Sequence, residues 1–225
     1  MEWFWDELAK NHQDIADMEL SLPSFKILKS DPMIVIISGL SGSGKDSVIN
    51  ALRNNSKLNF HFVVTCNTRK QRDDEIDGVH YHFISREKFL DMIRKNEMIE
   101  YSPVYNDYKG VPKFEIEKGI AKGQDMILRL DPQGMKKVKQ VYPNAVTIFI
   151  VPPDPETWLE RLIKRGSDTD EDLRVRIETA REEIKSIPEF DYIVVNDQLD
   201  KAVEDVLTIL RAEHQRTTRI KVEHN

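Results

Sequence analysis

The chain has 225 residues, 40% hydrophobic and 32% charged, enough for one domain with its own core plus arms and loops. Its formal charge of −6 and pI of about 5.6 exclude a surface built as a whole for nucleic acid, so a small anionic ligand would need a local basic pocket. A single cysteine, Cys66, excludes an intrachain disulfide; the six histidines show no Cys/His metal spacing, and no apolar run approaches the ~20 residues of a membrane span.

Residues 1–32 read as an N-terminal arm. It carries Trp3, Phe4 and Trp5, but its first twenty residues hold six acids against one lysine. Secretory and transit peptides are basic and avoid acids, so a cytoplasmic protein is expected. Trp5, Leu8, Ile15 and Met18 share one face of a broken helix closing at Pro23. That face either packs on the body of the same molecule or makes a partner contact through which the chain self-associates.

From Met33 onward, short apolar runs alternate with helical stretches. Residues 33–38 are too few for a helix and lead into glycines, as a buried parallel strand requires. Residues 45–53 read as a helix. Further strand-like runs lie at 60–66, 125–130, 146–151 and 192–195. Cys66 ends the first of them, and a buried strand position suits it better than a reactive thiol. Helices are expected at 85–95, capped by Ser85 with Phe89, Met92 and Ile93 on one face, and at 154–164, opened by Asp154 and Pro155. Two more are expected at 169–186 and 199–214. Alternating strands and helices give an α/β fold with a mostly parallel sheet. Residues 69–119 interrupt that rhythm with aromatic, turn-rich stretches around one helix. The expected layout is therefore a domain at 33–214, with a core of 33–66 and 120–214, an insert of about 67–119, and a tail at 215–225.

Gly39-Leu40-Ser41-Gly42-Ser43-Gly44-Lys45 follows the first buried strand and opens a helix, which is the context of a phosphate-binding loop. Glycines let successive N–H groups point inward at phosphate oxygens. The helix N-terminus adds a favourable dipole, and Lys45 neutralises the β and γ phosphates of ATP. Gly-x4-Gly-Lys would arise by chance only ~0.03 times in such a chain. The next residue is ordinarily Ser or Thr, whose hydroxyl ligates Mg²⁺; here it is Asp46. A carboxylate is a hard oxygen ligand able to hold Mg²⁺ directly or through water. Without the metal it would repel the phosphates, by about 4 kcal/mol for like unit charges ~4 Å apart at an effective dielectric of ~20. Asp46 therefore either works with the metal or turns away, leaving Ser47 to substitute.

A phosphate loop identifies a nucleotide, not a reaction. Thr65-Cys-Asn-Thr-Arg69-Lys-Gln-Arg72-Asp-Asp-Glu75, followed by Gly78-Val-His-Tyr81-His-Phe, resembles the GMP-binding stretch of guanylate kinases. The resemblance continues through Glu100 in Met-Ile-Glu-Tyr, Leu130-Asp131-Pro-Gln-Gly134, Arg161-Leu-Ile-Lys-Arg165-Gly and Val194-Val-Asn196-Asp197, and runs from about Met33 to His214. It is closest to the plant organelle-type branch and its bacterial relatives, which also carry Gly-Lys-Asp, Tyr-Lys-Gly before a branched residue and Pro, and an Arg before the motif Asp. Here those are Asp46, Lys109 with Val111, and Arg129. Better-known guanylate kinases hold Ser, a phosphate-binding Tyr, a base-binding Ser or Thr, and Asp at the corresponding places.

The resemblance implies a P-loop nucleoside monophosphate kinase fold, with an inserted GMP-binding subdomain and a lid at about 161–176. It implies ATP as donor with Mg²⁺, GMP (and dGMP as a further candidate) as acceptor, and neither nucleic acid nor membrane as partner. Arg69, Arg72 and Tyr81 would hold the acceptor phosphate, with Lys109 in place of the second tyrosine. Glu100 would read guanine, with Thr65 and Asp131 as helpers. Arg161, Arg165 and Arg176 would close over ATP, and Asn196-Asp197 would form the adenine-side loop. His80 and His82 read as structural. The chemistry needs no general base, because the GMP phosphate, with a second pKa near 6, is mostly a dianion at pH 7. Positioning and charge neutralisation then carry an in-line transfer. Two rivals share parts of this pattern. Ribose 1,5-bisphosphate phosphokinases have the same Gly-Ser-Gly-Lys-Asp-Ser loop but no need of a guanine-reading Glu100. Guanylate-kinase-like scaffold modules bind phosphopeptides, typically with a damaged phosphate loop, whereas this chain keeps Lys45 and the glycines.

Overall fold

The computed structural model describes residues 7, 10, 25–28, 30–55, 58–73, 75–104, 106–164 and 170–224. The aromatic cluster of the arm, Pro23 and Arg165 lie outside the described residues. In chain order the elements are β1 (Phe25–Ile27), β2 (Ile34–Gly39), α1 (Lys45–Asn54), β3 (Phe60–Phe62), β4 (Cys66–Asn67), β5 (His82–Phe83), α2 (Arg86–Arg94), β6 (Met98–Val104), β7 (Asp107–Pro112), α3 (Lys113–Ala121), β8 (Asp125–Arg129), α4 (Pro132–Val141), β9 (Val146–Val151), α5 (Pro155–Ile163), α6 (Asp170–Lys185), β10 (Tyr192–Val195), α7 (Leu199–His214) and β11 (Val222–His224).

Apolar strands, of which β2 and β9 are buried on both faces, build a five-stranded, wholly parallel sheet in the order β10-β9-β2-β8-β3. Val35 and Ile37 of β2 pack on one face with Val48 and Leu52 of α1 and Val206 and Leu210 of α7. Ile36 and Leu128 pack on the other face with Ile116 of α3 and Met135 and Val138 of α4. Because every strand runs the same way, Gly39, Arg129 and Val151 end at one edge of the sheet, where α/β folds bind ligands.

The apolar run 60–66 is not one strand. Phe60–Phe62 pairs with β8 in the central sheet, while Cys66–Asn67 joins a second sheet ordered β5-β4-β7-β6. The chain crosses from core to insert in the middle of the run. Helices α3 and α4 were not anticipated from the sequence. The buried face of α3 is Glu115, Ile116 and Gly119, so a carboxylate interrupts its apolar stripe. Helix α4 opens on Asp131, whose Oδ1 accepts the Gly134 N–H at 2.7 Å, with Pro132 at the first position.

Residues 31–214 form one compact unit. Residues 1–30 and 215–225 form another, in which β1 pairs antiparallel with β11 and the Leu28 N–H donates to the Lys221 carbonyl at 2.9 Å. Among the described residues no helix is long and apolar enough to cross a membrane.

Candidate active site

The loop between β2 and α1 owes its shape to glycines at positive φ. Gly44, the N-cap of α1, sits at φ 80° with a neighbour so close that a Cβ would lie 2.3 Å from the Asn196 amide nitrogen. Only glycine suits both conditions. Asn196 is buried beneath the loop: its Nδ2 donates to the Ser43 carbonyl at 2.8 Å, and its backbone N–H to Val151 O at 2.8 Å. Trp158 of α5 props the other side, donating from Nε1 to the Ser41 carbonyl at 2.8 Å. The loop is thus held from behind with its front open.

Two of the predicted lid arginines are placed. Arg176 donates to Ser41 Oγ at 2.8 Å and so touches the phosphate loop. Arg161 is docked on backbone carbonyls, those of Asn196 at 2.8 Å and Asp197 at 3.4 Å. Asp197 itself is exposed.

In front of the loop lies a cleft of about 270 Å³, lined by Lys45, Asp46, Thr65, Tyr81, Glu100, Lys109 and Asp131 among others. It thus joins the phosphate loop to most of the predicted acceptor residues. Glu100 on β6 is only 7% exposed, and among the described residues its Oε2 has no hydrogen-bond partner; Lys137 Nζ stands 3.7 Å away. Burial pushes its carboxyl above the ordinary value, with Lys137 pulling the other way. A carboxylate left in that condition is waiting for N–H donors. Val111, at the family's base-binding position, is buried in the core and does not line the cleft. Ser102 also lines the cleft, opposite Lys109 across the β6–β7 ladder, and its hydroxyl accepts from Lys137 at 2.9 Å.

The acceptor-phosphate group is only partly assembled. Arg69 grips Glu75, with Nη1 to Oε2 at 2.7 Å and a second bond from Nη2 to Oε1, and lies 5.4 Å over the rings of both Tyr81 and Phe83. The same pair holds the Glu75 carboxyl down at about 2. Arg72 is exposed and does not line the cleft; its backbone N–H caps Glu75 at 3.0 Å. Lys109 Nζ lies 5.4 Å over the Tyr81 ring. Glu75 was part of the recognised motif, and the structure gives it the task of fixing Arg69.

Asp46, in the first turn of α1, accepts from Arg129 Nη1 at 3.1 Å, and Arg129 Nη2 donates to Tyr81 Oη at 3.0 Å. Ser47 beside it is exposed. Glu183 of α6 also lines the cleft; its buried Oε2 has no hydrogen-bond partner among the described residues, and its carboxyl is pushed up by burial and pulled down by the Lys45 charge. Arg129, Ser102, Lys137, Trp158 and Glu183 were absent from the sequence-derived site. Only Arg129 had left a signal there, as an unusual residue beside the motif Asp131. Among the described residues, no group of three or more His, Cys, Asp or Glu could hold a metal ion.

A glycine loop that opens a helix faces a cleft lined by Lys45, Lys109 and the buried Glu100: the layout of a P-loop nucleoside monophosphate kinase. Known proteins narrow the class. Residues 31–213 match the family model described as Guanylate kinase. The chain is 44% identical over 196 residues to guanylate kinase 2, chloroplastic/mitochondrial, of Oryza sativa subsp. japonica, covering 84% of this chain and 68% of that protein. It is 42% identical over 189 residues to the guanylate kinase of Clostridium tetani, covering 84% and 90%. The crystal structure of guanylate kinase from Anaplasma phagocytophilum superposes with a TM-score of 0.68 at 31% identity, covering 86% of this chain and 92% of that one. The chain belongs to the guanylate kinase family.

Proposed function

We infer that the protein transfers the γ-phosphoryl group of ATP to GMP, giving ADP and GDP. The observation that carries the acceptor assignment is the buried Glu100 carboxylate, with Oε2 unpartnered in the cleft that Lys45 also lines. Guanine offers N1–H and an exocyclic amine side by side, which satisfy such a carboxylate. Adenine offers neither in that arrangement and would leave it buried and unpaired, a mismatch able to reject an analogue by about 10⁴-fold. Thr65 lines the cleft beside it, while the Asp131 carboxylate spends one oxygen capping α4.

The remaining roles follow from position and charge. Lys45 and the loop N–H groups take the donor phosphates, and Arg176, already bonded to Ser41, adds a cation there. Tyr81 and Lys109 line the cleft where the acceptor phosphate would sit, and Arg69, held by Glu75, and the exposed Arg72 would join them when GMP is present. Mg²⁺, which supplies charge neutralisation on the transferring phosphates, fits the donor set present. Asp46 is a hard oxygen ligand next to Lys45 and lines the cleft, and it would hold the ion directly or through water. The ion's other ligands would be phosphate oxygens and water. Exclusion of water by closure of the α5–α6 region over ATP would keep hydrolysis low in the absence of GMP.

The test is Glu100→Gln. Replacing one acceptor oxygen by an amide donor is expected to raise the GMP KM at least about tenfold and to leave ATP binding, measured by calorimetry, within about twofold, on the grounds that Glu100 is not part of the phosphate loop. An unchanged KM for GMP would remove Glu100 from the base site.

A further inference from the structure

We propose that Arg129 is a catalytic residue, a cation held between the donor and acceptor phosphate sites that contacts the phosphoryl group as it passes from one to the other. The proposal rests on the reading of the cleft as the meeting place of ATP and GMP.

Arg129 ends β8 at the ligand-binding edge of the sheet, in register with Ile37 two residues before the phosphate loop begins. Its guanidinium makes two directed contacts at once. Nη1 donates to Asp46, the residue after the loop lysine, at 3.1 Å, and Nη2 donates to the Tyr81 hydroxyl at 3.0 Å. One contact lies on the donor side and the other on the acceptor side, so the plane of the fork spans the gap between them. A guanidinium carries five N–H donors, and these two bonds use two of them. The side chain retains 45% of its exposure, and Arg129 lines the cleft with Lys45 and Glu100. Bidentate donation to phosphate oxygens is the geometry arginine serves best.

Simple neutralisation of Asp46 does not account for the arrangement. An ion pair of two accessible side chains requires no second anchor, yet Arg129 is also bonded to the Tyr81 hydroxyl of the insert. That second bond orients the fork, as preorganised charge stabilisation requires. In the transfer, an oxygen of the GMP phosphate forms a bond to the γ-phosphorus while the bond from γ-phosphorus to the β–γ bridging oxygen breaks, and ADP leaves with that oxygen. Arg129 exchanges no proton and bonds the equatorial oxygens. Asp46 and Tyr81 act on it as positioning groups.

The experiment is a double-mutant cycle on the full chain, with ATP, Mg²⁺ and GMP, reading kcat and KM separately. Wild-type turnover of GMP is measured first; its absence would defeat the reading of the cleft without touching Arg129. Arg129→Ala is expected to lower kcat by about 100-fold or more, with a smaller change in the ATP KM. The deciding comparison is Asp46→Ser/Arg129→Ala against Asp46→Ser alone. If Arg129 serves the phosphoryl group, the double variant stays at least about tenfold below Asp46→Ser. If it only offsets Asp46, removing the carboxylate removes the need for it, and a double variant within about tenfold of Asp46→Ser overturns the proposal. Should Arg129→Ala not fold by circular dichroism, Arg129→Lys decides: it keeps the charge beside Asp46 but loses the fork. An at least about tenfold lower kcat in Arg129→Lys supports the proposal, and a smaller loss overturns it.

Discussion

Burial of the Glu100 carboxyl costs the fold that carries it. That carboxyl is raised above the ordinary 4.5, first by burial, so the folded protein holds that proton more tightly than the unfolded chain. The native state then binds a proton that the unfolded chain has already released. Stability is therefore greatest below 4.5 and falls as pH rises through the raised native value. Glu100→Gln removes that cost, and we expect its Tm at pH 7 to exceed wild type by a few degrees, at about 2–4 °C per kcal/mol for a chain of this size. The gap should close as pH is lowered toward 4.5, and calorimetric scans at both pH values check the sign. A lower Tm for the variant at pH 7 would mean that the carboxylate is stabilising in the empty cleft. Glu100 was legible in the sequence because it stands in a motif of fixed order. So were Asp46 and Arg129 as two departures from the usual pattern in one chain. What the sequence withheld is that the two side chains, 83 positions apart, touch. Ser102 and Lys137 left no signal at all, because their relevance arises from strand register and from a helix packed over β6.

Among the elements, the helix-opening loop and helix α3 bear the sharpest expectations. Gly44→Ala would place a methyl 2.3 Å from the Asn196 amide at a φ of 80°, so the loop must shift. The expected cost is about 1–3 kcal/mol for overpacking, with weaker ATP binding by titration calorimetry while GMP binding is retained. Helix α3 is tied to both sheets by one buried residue. Glu115 accepts from the Val64 N–H at 3.0 Å and meets His61 of β3 at 3.0 Å and His82 of β5 at 3.2 Å. Burial alone would raise its carboxyl, but the Val64, His82, Lys118 and His61 contacts outweigh it and hold the value below 4.5. Its stabilisation is therefore present above 4.5 and lost as pH falls through the lowered native value. Glu115→Gln is expected to cost about 2–3 kcal/mol in urea unfolding at pH 7, shrinking at lower pH; a constant difference would contradict the ionised hub. The same residue explains why α3 escaped notice, since an acid on the inner face disguises an amphipathic helix as a loop. Helix α4 was hidden by Asp131-Pro132-Gln-Gly134, which reads as a turn until the aspartate is seen to cap it. By contrast, 146–151, 192–195 and 199–214 were readable to the residue, because an unbroken apolar run or a clean helical stripe has one solution.

At the scale of the whole molecule, the sequence implied a parallel sheet but not the order β10-β9-β2-β8-β3, which brings the ends of β2 and β8 side by side. That adjacency puts Lys45 and Arg129 in one cleft and lets a segment from the insert, carrying Tyr81 and Glu100, complete it. The proposed function places donor phosphates and a guanine-bearing acceptor in that cleft. The most direct measurement is a competition in one vessel: γ-labelled ATP and Mg²⁺ with equal GMP and AMP, followed by separation of labelled GDP and ADP. Label is expected to appear in GDP at least about 10⁴ times faster than in ADP, as the cost of leaving Glu100 unpaired dictates. Equal labelling of the two products, or none in either, would contradict a guanine-reading phosphoryl transferase.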